Sequence, residues 1–381
     1  MKKSPAVFLF VLIFSFIPLI SFGYDAKTTH PDLTELTIDF FNFYFPKNFI
    51  NETEKELIKK GSIEEDNGLR SVNHFYDPVF NQTWQFGGIE YFFPALTAKA
   101  WAQNPFIQAL YDPAYLASVG LITKSPVFSQ ANFTWQRAIY EYVKGDRITA
   151  FESLGRILHL IQDMSVPEHT RENVHLFFID NATSYYENYA ASIEKNLYSK
   201  IYQNVKSYPP VIKPTLDDYF NEVAFYSNGY FYSPDTIVGA KYQKPEVLLP
   251  DVPEIGSDGI TRFYLTGKDE EGKLFHLAKK EAAWRIQSGF NSYTLNDEQV
   301  LKDYWERLSR RTVLAGAGVV DLFFKEAEKA KAKPDFVAQN ERNILTAAMA
   351  GIKDFIVNIF QKEPDYIIQD GQIVSQDDIN Q

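Results

Sequence analysis

Between residues 148 and 164 the apolar side chains Ala150, Leu154, Leu158 and Ile161 recur at helical spacing, a stripe that one side of a helix would bury. His159 and Asp163, four residues apart, share a neighbouring face of that helix. Pro167 cannot donate to a continuing helix and holds Val166 out of the α region. The helix is therefore predicted to end there, with His169 on a turn that can fold back toward the pair. The same periodicity predicts a helix over 32–45, with Leu33, Leu36, Phe40, Phe43 and Tyr44 as its apolar positions, Pro31 at its start and His30 at its mouth. A short charged helix over 52–60 is predicted to end at Gly61. Further helices are expected around 95–103, over 133–143, over 181–198 with Asn181 as cap and Glu187 in the second turn, and over 279–287, 301–332 and 340–362. Lys144-Gly145-Asp146-Arg147 reads as the turn of a helical hairpin.

From 207 to about 272 the pattern changes to Pro209, Pro210, Pro214, Pro234, Pro245, Pro250 and Pro253 interleaved with Tyr and Val, which predicts loop with a few short strands. A hairpin is expected around 267–272, with His276 opening the next helix in a structural role. The tail after Asp370 is polar and expected to fray. The predicted fold class is all-α: one helical domain over 24–370, with a small loop/β insert at 206–275 and a polar tail at 371–381.

With 381 residues, 45% of them hydrophobic, the chain can bury a sizeable core. A net charge of −11 argues against binding nucleic acid backbones by bulk electrostatics, so no stable nucleic-acid complex is expected. Residues 1–23 read as a secretory signal peptide: Lys2 and Lys3, an apolar run from Ala6 to Ile20 that is short for a span and contains Pro18, then Ser21-Phe22-Gly23. Cleavage would leave Tyr24 first, no transmembrane segment in the mature chain, and an exported protein, periplasmic or extracellular. The absence of cysteine excludes a disulfide framework and leaves stability to the core and to metal.

Residues 150–187 gather His159, Asp163, His169, His175 and Glu187. Imidazoles and carboxylates converging in this way suit a borderline-soft cation such as zinc, which takes nitrogen and oxygen donors at short, fixed distances. A lone His/Asp pair on a helix more often belongs to an ordinary core, so the rest of the chain decides. His30 lies at a helix start, and the acidic run 62–67, which as a charge run would ordinarily be a solvated face, stands just before His74 in the segment NHFYDP at 73–78.

Together these residues resemble the zinc-dependent phospholipase C and S1/P1 nuclease superfamily, secreted all-α enzymes with three zinc ions in a cleft. The resemblance covers roughly 24–189. It rests on His159, Asp163 and His169 in H-x-x-x-D followed by a His after a proline, on Tyr186-Glu187-Asn188, on HFYDP from His74 to Pro78, on Gly61 to Asp66, and on His30. HFYDP favours the phospholipase C branch. The resemblance implies metal ligands at Tyr24 (through its amine and carbonyl as mature N-terminus), His30, Asp66, His74, His159, Asp163, His169 and Glu187. Thr183 stands where the best-known members carry a further His, and His175 is the nearest replacement.

The implied activity is phosphodiester hydrolysis with two or three Zn²⁺, Asp66 acting both as ligand and as general base. The favoured substrate is a phospholipid at a membrane surface. Asn67 occupies the position of an aromatic residue usual in the phosphatidylcholine enzymes, so choline specificity does not carry over. A single-strand nuclease and a non-catalytic metal-binding homologue are the alternative readings.

Overall fold

The structure is a computed structural model. It describes residues 24–84 except 26, 95–110, 130–171, 184–237 except 194, 239, 241–282, 285–286, 292–333, and the backbone of 366–369 and 372–375. The chain is mostly helical and carries a small four-stranded antiparallel sheet. The helices in chain order are α1 (Thr29–Tyr44), α2 (Glu52–Glu64), α3 (Ala98–Trp101), α4 (Pro105–Leu110), α5 (Trp135–Lys144) and α6 (Arg147–Asp163). They continue with α7 (Pro167–Thr170), α8 (Tyr185–Ala191), α9 (Lys195–Val205), α10 (Leu216–Tyr230) and α11 (Glu298–Lys331). The sheet runs in the order β1 (Leu249–Ile255), β2 (Thr261–Lys268), β3 (Leu274–Lys280), β4 (Tyr293–Thr294).

Helix α6 begins where Asp146 accepts a hydrogen bond from the Thr149 N–H (3.1 Å), directly after Gly145 closes α5 in the left-handed region at φ 101°. The predicted hairpin turn is therefore present. Ala150, Leu154, Leu158 and Ile161 are all buried, and the helix ends at Asp163, as the stripe and Pro167 require. Helix α11 is the long central element. It lies against α1, α5, α6, α8, α9, α10 and β3, and most of its residues from Tyr304 to Phe324 are buried.

Helix α2 differs from the prediction because Gly61 does not end it. Asn51 caps its start by a reciprocal capping box with Glu54, and the helix runs through to Glu64. Gly61 instead makes a close crossing with α6 possible: a Cβ there would stand 2.1 Å from the Glu152 carbonyl oxygen, and one at Gly155 would stand 1.9 Å from that of Ile58. Only hydrogen at both positions allows the two backbones to approach so closely.

Other expectations need correction. Phe43 and Tyr44 are 54% and 45% exposed, so the buried stripe of α1 ends at Phe41. The helix expected around 95–103 is the shorter α3, followed by α4. The helix expected over 181–198 is two helices, α8 and α9, and the described cap of α8 is Ser184. Glu187 lies in its first turn, while Asn181 lies outside the described residues. The stretch expected to be loop and strand contains α10, capped by Thr215, and the sheet runs on past 275 to Thr294. His276 lies in β3 and opens no helix, because Leu274–Lys280 pairs antiparallel with β2 and buries Phe275 and Leu277 on one face. Strand β3 also takes the first residues of the helix expected over 279–287. The tail expected to fray after Asp370 includes half of a two-stranded hairpin, Tyr366–Gln369 with Gln372–Ser375. The helix expected over 340–362 lies outside the described residues.

Candidate metal centre

Four elements converge on one buried point. Helix α1 brings His30 in its first turn, and the residues just after α2 bring Asp66. The end of the short helical turn Gly68–Asn73 brings His74, and α6 brings His159 and Asp163. His30, Asp66 and His159 offer ligand atoms within 4.8 Å of one another, and so do His74, His159 and Asp163. The shared residue is His159, whose Nε2 lies 3.2 Å from Asp163 Oδ2, 3.6 Å from Asp66 Oδ1 and 3.3 Å from His74 Nδ1. His74 Nδ1 is 3.1 Å from Asp163 Oδ2, and His30 Nε2 is 3.5 Å from Asp163 Oδ1. The His30 and His159 rings stack with centroids 3.6 Å apart.

A second group adjoins the first. His169, on the short α7 that Pro167 begins, has Nδ1 3.8 Å from Asp163 Oδ1 and Nε2 3.2 Å from Glu187 Oε1. Phe75 stacks on its ring at 4.4 Å. Tyr24 closes the opposite side: its ring meets His30 edge-on at 5.6 Å, and its buried hydroxyl lies 2.6 Å from that of Tyr186 and 3.1 Å from Ser165 Oγ. Of the residues singled out in the sequence, the structure thus gathers Tyr24, His30, Asp66, His74, His159, Asp163, His169 and Glu187. His175 and Thr183 lie outside the described residues.

Three imidazoles are oriented from behind. His159 Nδ1 donates to the Ser62 carbonyl (2.6 Å), His169 Nδ1 to the His74 carbonyl (3.0 Å), and His30 Nδ1 to Gln162 Oε1 (2.6 Å). With Nδ1 carrying the proton, each neutral ring points its Nε2 lone pair at a carboxylate. Two electron-rich atoms face each other in that arrangement, a contact that a proton or a cation between them relieves. In the metal-free protein protons can do so at His159 and His169, whereas His30 stays neutral and its lone pair is left for a cation. Burial would lower His159, but the carboxylates of Asp163 and Asp66 outweigh it and raise the ring to about 9. Burial likewise opposes His169, which Glu187 and Asp163 raise to about 9. His30 is held well below its usual value by burial and by the neighbouring His159. Burial alone would raise Asp163, but His159 and His74 hold it well below the usual carboxylate range, whereas burial pushes Asp66 up to about 6.

The polar atoms themselves fit a cation. His30 Nε2, both oxygens of Asp66, both oxygens of Asp163 and Glu187 Oε1 are buried without a hydrogen-bond partner. Each such atom costs about 1–3 kcal/mol when left unsatisfied. So many in one place are what a set of ligand atoms leaves when its cation is taken away. The buried His/Asp groups are close enough to hold a metal ion.

Compared with known proteins, the chain matches no family model and no curated sequence. The geometry therefore has to carry the functional reading.

Residues that the sequence did not single out complete the site. Glu65, next to Asp66 in the acidic run, is fully buried: Arg70 donates to it from Nε (2.9 Å), Trp101 Nε1 donates at 2.7 Å, and Arg156 Nη1 stands 3.3 Å away. Burial would raise its carboxyl, but Arg70 and Arg156 hold it down at about 2. This charged plug packs behind His74, whose Nε2 is 4.0 Å from Glu65 Oε1. Gln162 had no chemical signal of its own, although its place between His159 and Asp163 aims it at α1. His276 has no part in the centre: its ring nitrogens each lie 2.7 Å from a carboxylate, Asp303 and Glu254, and it ties the sheet to α11.

Proposed function

We propose that this protein is an exported, zinc-dependent phosphodiesterase of the phospholipase C type, built on the helical fold of the phospholipase C and P1 nuclease superfamily. The observation that carries the reading is the spacing of the buried imidazole nitrogens and carboxylate oxygens. A tetrahedral Zn²⁺ with bonds of about 2.0–2.2 Å holds its ligand atoms roughly 3.4 Å apart. The ring nitrogens of His74 and His159 approach each other and the oxygens of Asp66 and Asp163 at 3.1–3.6 Å. Mixed imidazole and carboxylate donors select a transition metal over calcium or magnesium, which prefer oxygen alone.

His74, His159, Asp66 and Asp163 would hold one ion, His30 with Asp163 and the amine and carbonyl of a processed Tyr24 a second, and His169 with Glu187 a third. Zinc in such a cluster polarises a phosphodiester and makes its bound water acidic. The chain supplies the rest. Ser62, Gln162 and the His74 carbonyl fix the rings, the core behind α6 keeps bulk water away, and Asp66 is the carboxylate that takes the proton of the attacking water. The products from a phosphatidyl lipid would be diacylglycerol and a phosphorylated headgroup.

The near-complete burial of His30, His74, His159 and Asp163 favours one alternative, a metal centre that braces the fold without catalysis. One assay separates the readings. Mature protein is offered phospholipid vesicles of several headgroups and single-stranded DNA, before and after chelation and after zinc is restored. Chelator-sensitive release of phosphorylated headgroup supports the proposal. Cleavage of single-stranded DNA with no lipid product supports a nuclease, and tight zinc with neither activity supports the structural centre.

A further inference from the structure

The side chain that orients His30 has a second partner. Gln162 Nε2 donates to Thr34 Oγ1 (2.9 Å), so its amide oxygen is the end that faces His30 Nδ1. Thr34, Gln162 and His30 are 0%, 1% and 0% exposed, so no water competes along this line. An amide carries a donor at one end and an acceptor at the other, and turning it over exchanges them. In the recorded orientation the amide oxygen requires a proton on Nδ1, which leaves the Nε2 lone pair 3.5 Å from Asp163 Oδ1. Turned over, the amide N–H would require a bare Nδ1. Nε2 would then carry the proton and donate it to Asp163, and His30 would be closed to a cation.

We propose that Gln162, whose amide oxygen faces Nδ1, is a positioning residue that sets the tautomer of His30 and so keeps Nε2 available as a donor to the metal centre. This rests on the proposed metal centre but adds a residue and a function to it. The arrangement parallels those of His159 and His169, with one difference. Their acceptors are backbone carbonyls that cannot turn over, whereas His30 depends on a side-chain amide. Outer partners of this kind typically change metal affinity on the order of 10–100-fold when lost.

Two measurements on the mature chain test this. In metal-free wild-type protein, nitrogen-15 NMR of the histidine side chains should show His30 with its proton on Nδ1. A proton on Nε2 would overturn the proposal without any variant having to fold. Zn²⁺ is then titrated against a competing chromophoric chelator. Gln162→Met should weaken the site that includes His30 by about 10–100-fold and leave the tightest zinc unchanged, while Gln162→Glu, which keeps an oxygen facing Nδ1, should restore binding to within a few-fold. Zinc binding by Gln162→Met at wild-type strength would remove the role of Gln162 and leave the metal centre standing. A wild-type chain that takes up no zinc would overturn both, and the two failures are thereby told apart.

Discussion

The proton positions on three histidines determine what the centre can do. His30, His159 and His169 each spend Nδ1 on an oxygen, and a neutral ring so placed has only a lone pair to offer the carboxylates in front of it. If those lone pairs are ligands, removing one should release metal. His159→Ala and Asp163→Asn are each predicted to lower zinc per chain by at least one ion, measured by elemental analysis, and to abolish phosphodiester hydrolysis. Two variants that keep their full zinc would refute the assignment. At this scale the sequence was informative wherever chemistry and spacing coincide, as for His159, Asp163 and His169. It was silent where a role depends on distant partners: Glu65 reads as one more member of an acidic run, and beside Arg70 it is Arg156 and Trp101, 91 and 36 residues away, that make it a buried ion.

The element that matters most to the centre is the crossing of α2 and α6. Gly61 and Gly155 let the two backbones meet, and that approach brings the Ser62 carbonyl to His159 Nδ1 and lets Arg156 reach Glu65. Gly155→Ala is predicted to separate the helices and cost at least about 1–3 kcal/mol, because the added methyl meets backbone that no rotamer change can clear. Chemical denaturation should show a lower midpoint at an unchanged slope, and an unchanged midpoint would contradict the close crossing. The error over Gly61 arose because glycine both ends helices and lets them touch, and a single sequence does not distinguish the two. Helix α10 was legible in principle. Thr215 and Asp218 form its cap, and Leu216, Tyr219, Phe220 and Val223 keep helical spacing, but the flanking prolines obscured it. The sheet was legible in part, since Phe275 and Leu277 alternate with His276 as a strand requires.

At the scale of the whole molecule, α11 carries both the helical core and the sheet, and His276 is a fastening between them. Its backbone N–H and Nδ1 both meet Asp303 of α11, its Nε2 meets Glu254 of β1, and the Tyr264 ring of β2 lies 4.4 Å away. Arg307 stands 3.8 Å from the same Asp303. Burial would lower the imidazole, but the two carboxylates raise it above its ordinary 6.5. A group raised on folding contributes stability that is full below the unfolded value and is lost as pH rises through the folded one. The melting temperature of wild type should therefore exceed that of His276→Gln most at about pH 6, with the gap narrowing as the pH is raised beyond about 7. A gap that is constant or widens with pH would exclude this fastening. Because the centre is assembled from α1, α6, α7, α8 and the loops after α2, zinc bound only by the folded chain should raise the melting temperature with its free concentration. The metal content of mature protein purified without added metal or chelator decides whether the centre is a zinc site. Two or three zinc ions per chain are predicted, removable by a strong chelator together with the phospholipid hydrolysis. A folded chain that contains no zinc and takes up none when it is supplied would contradict that assignment.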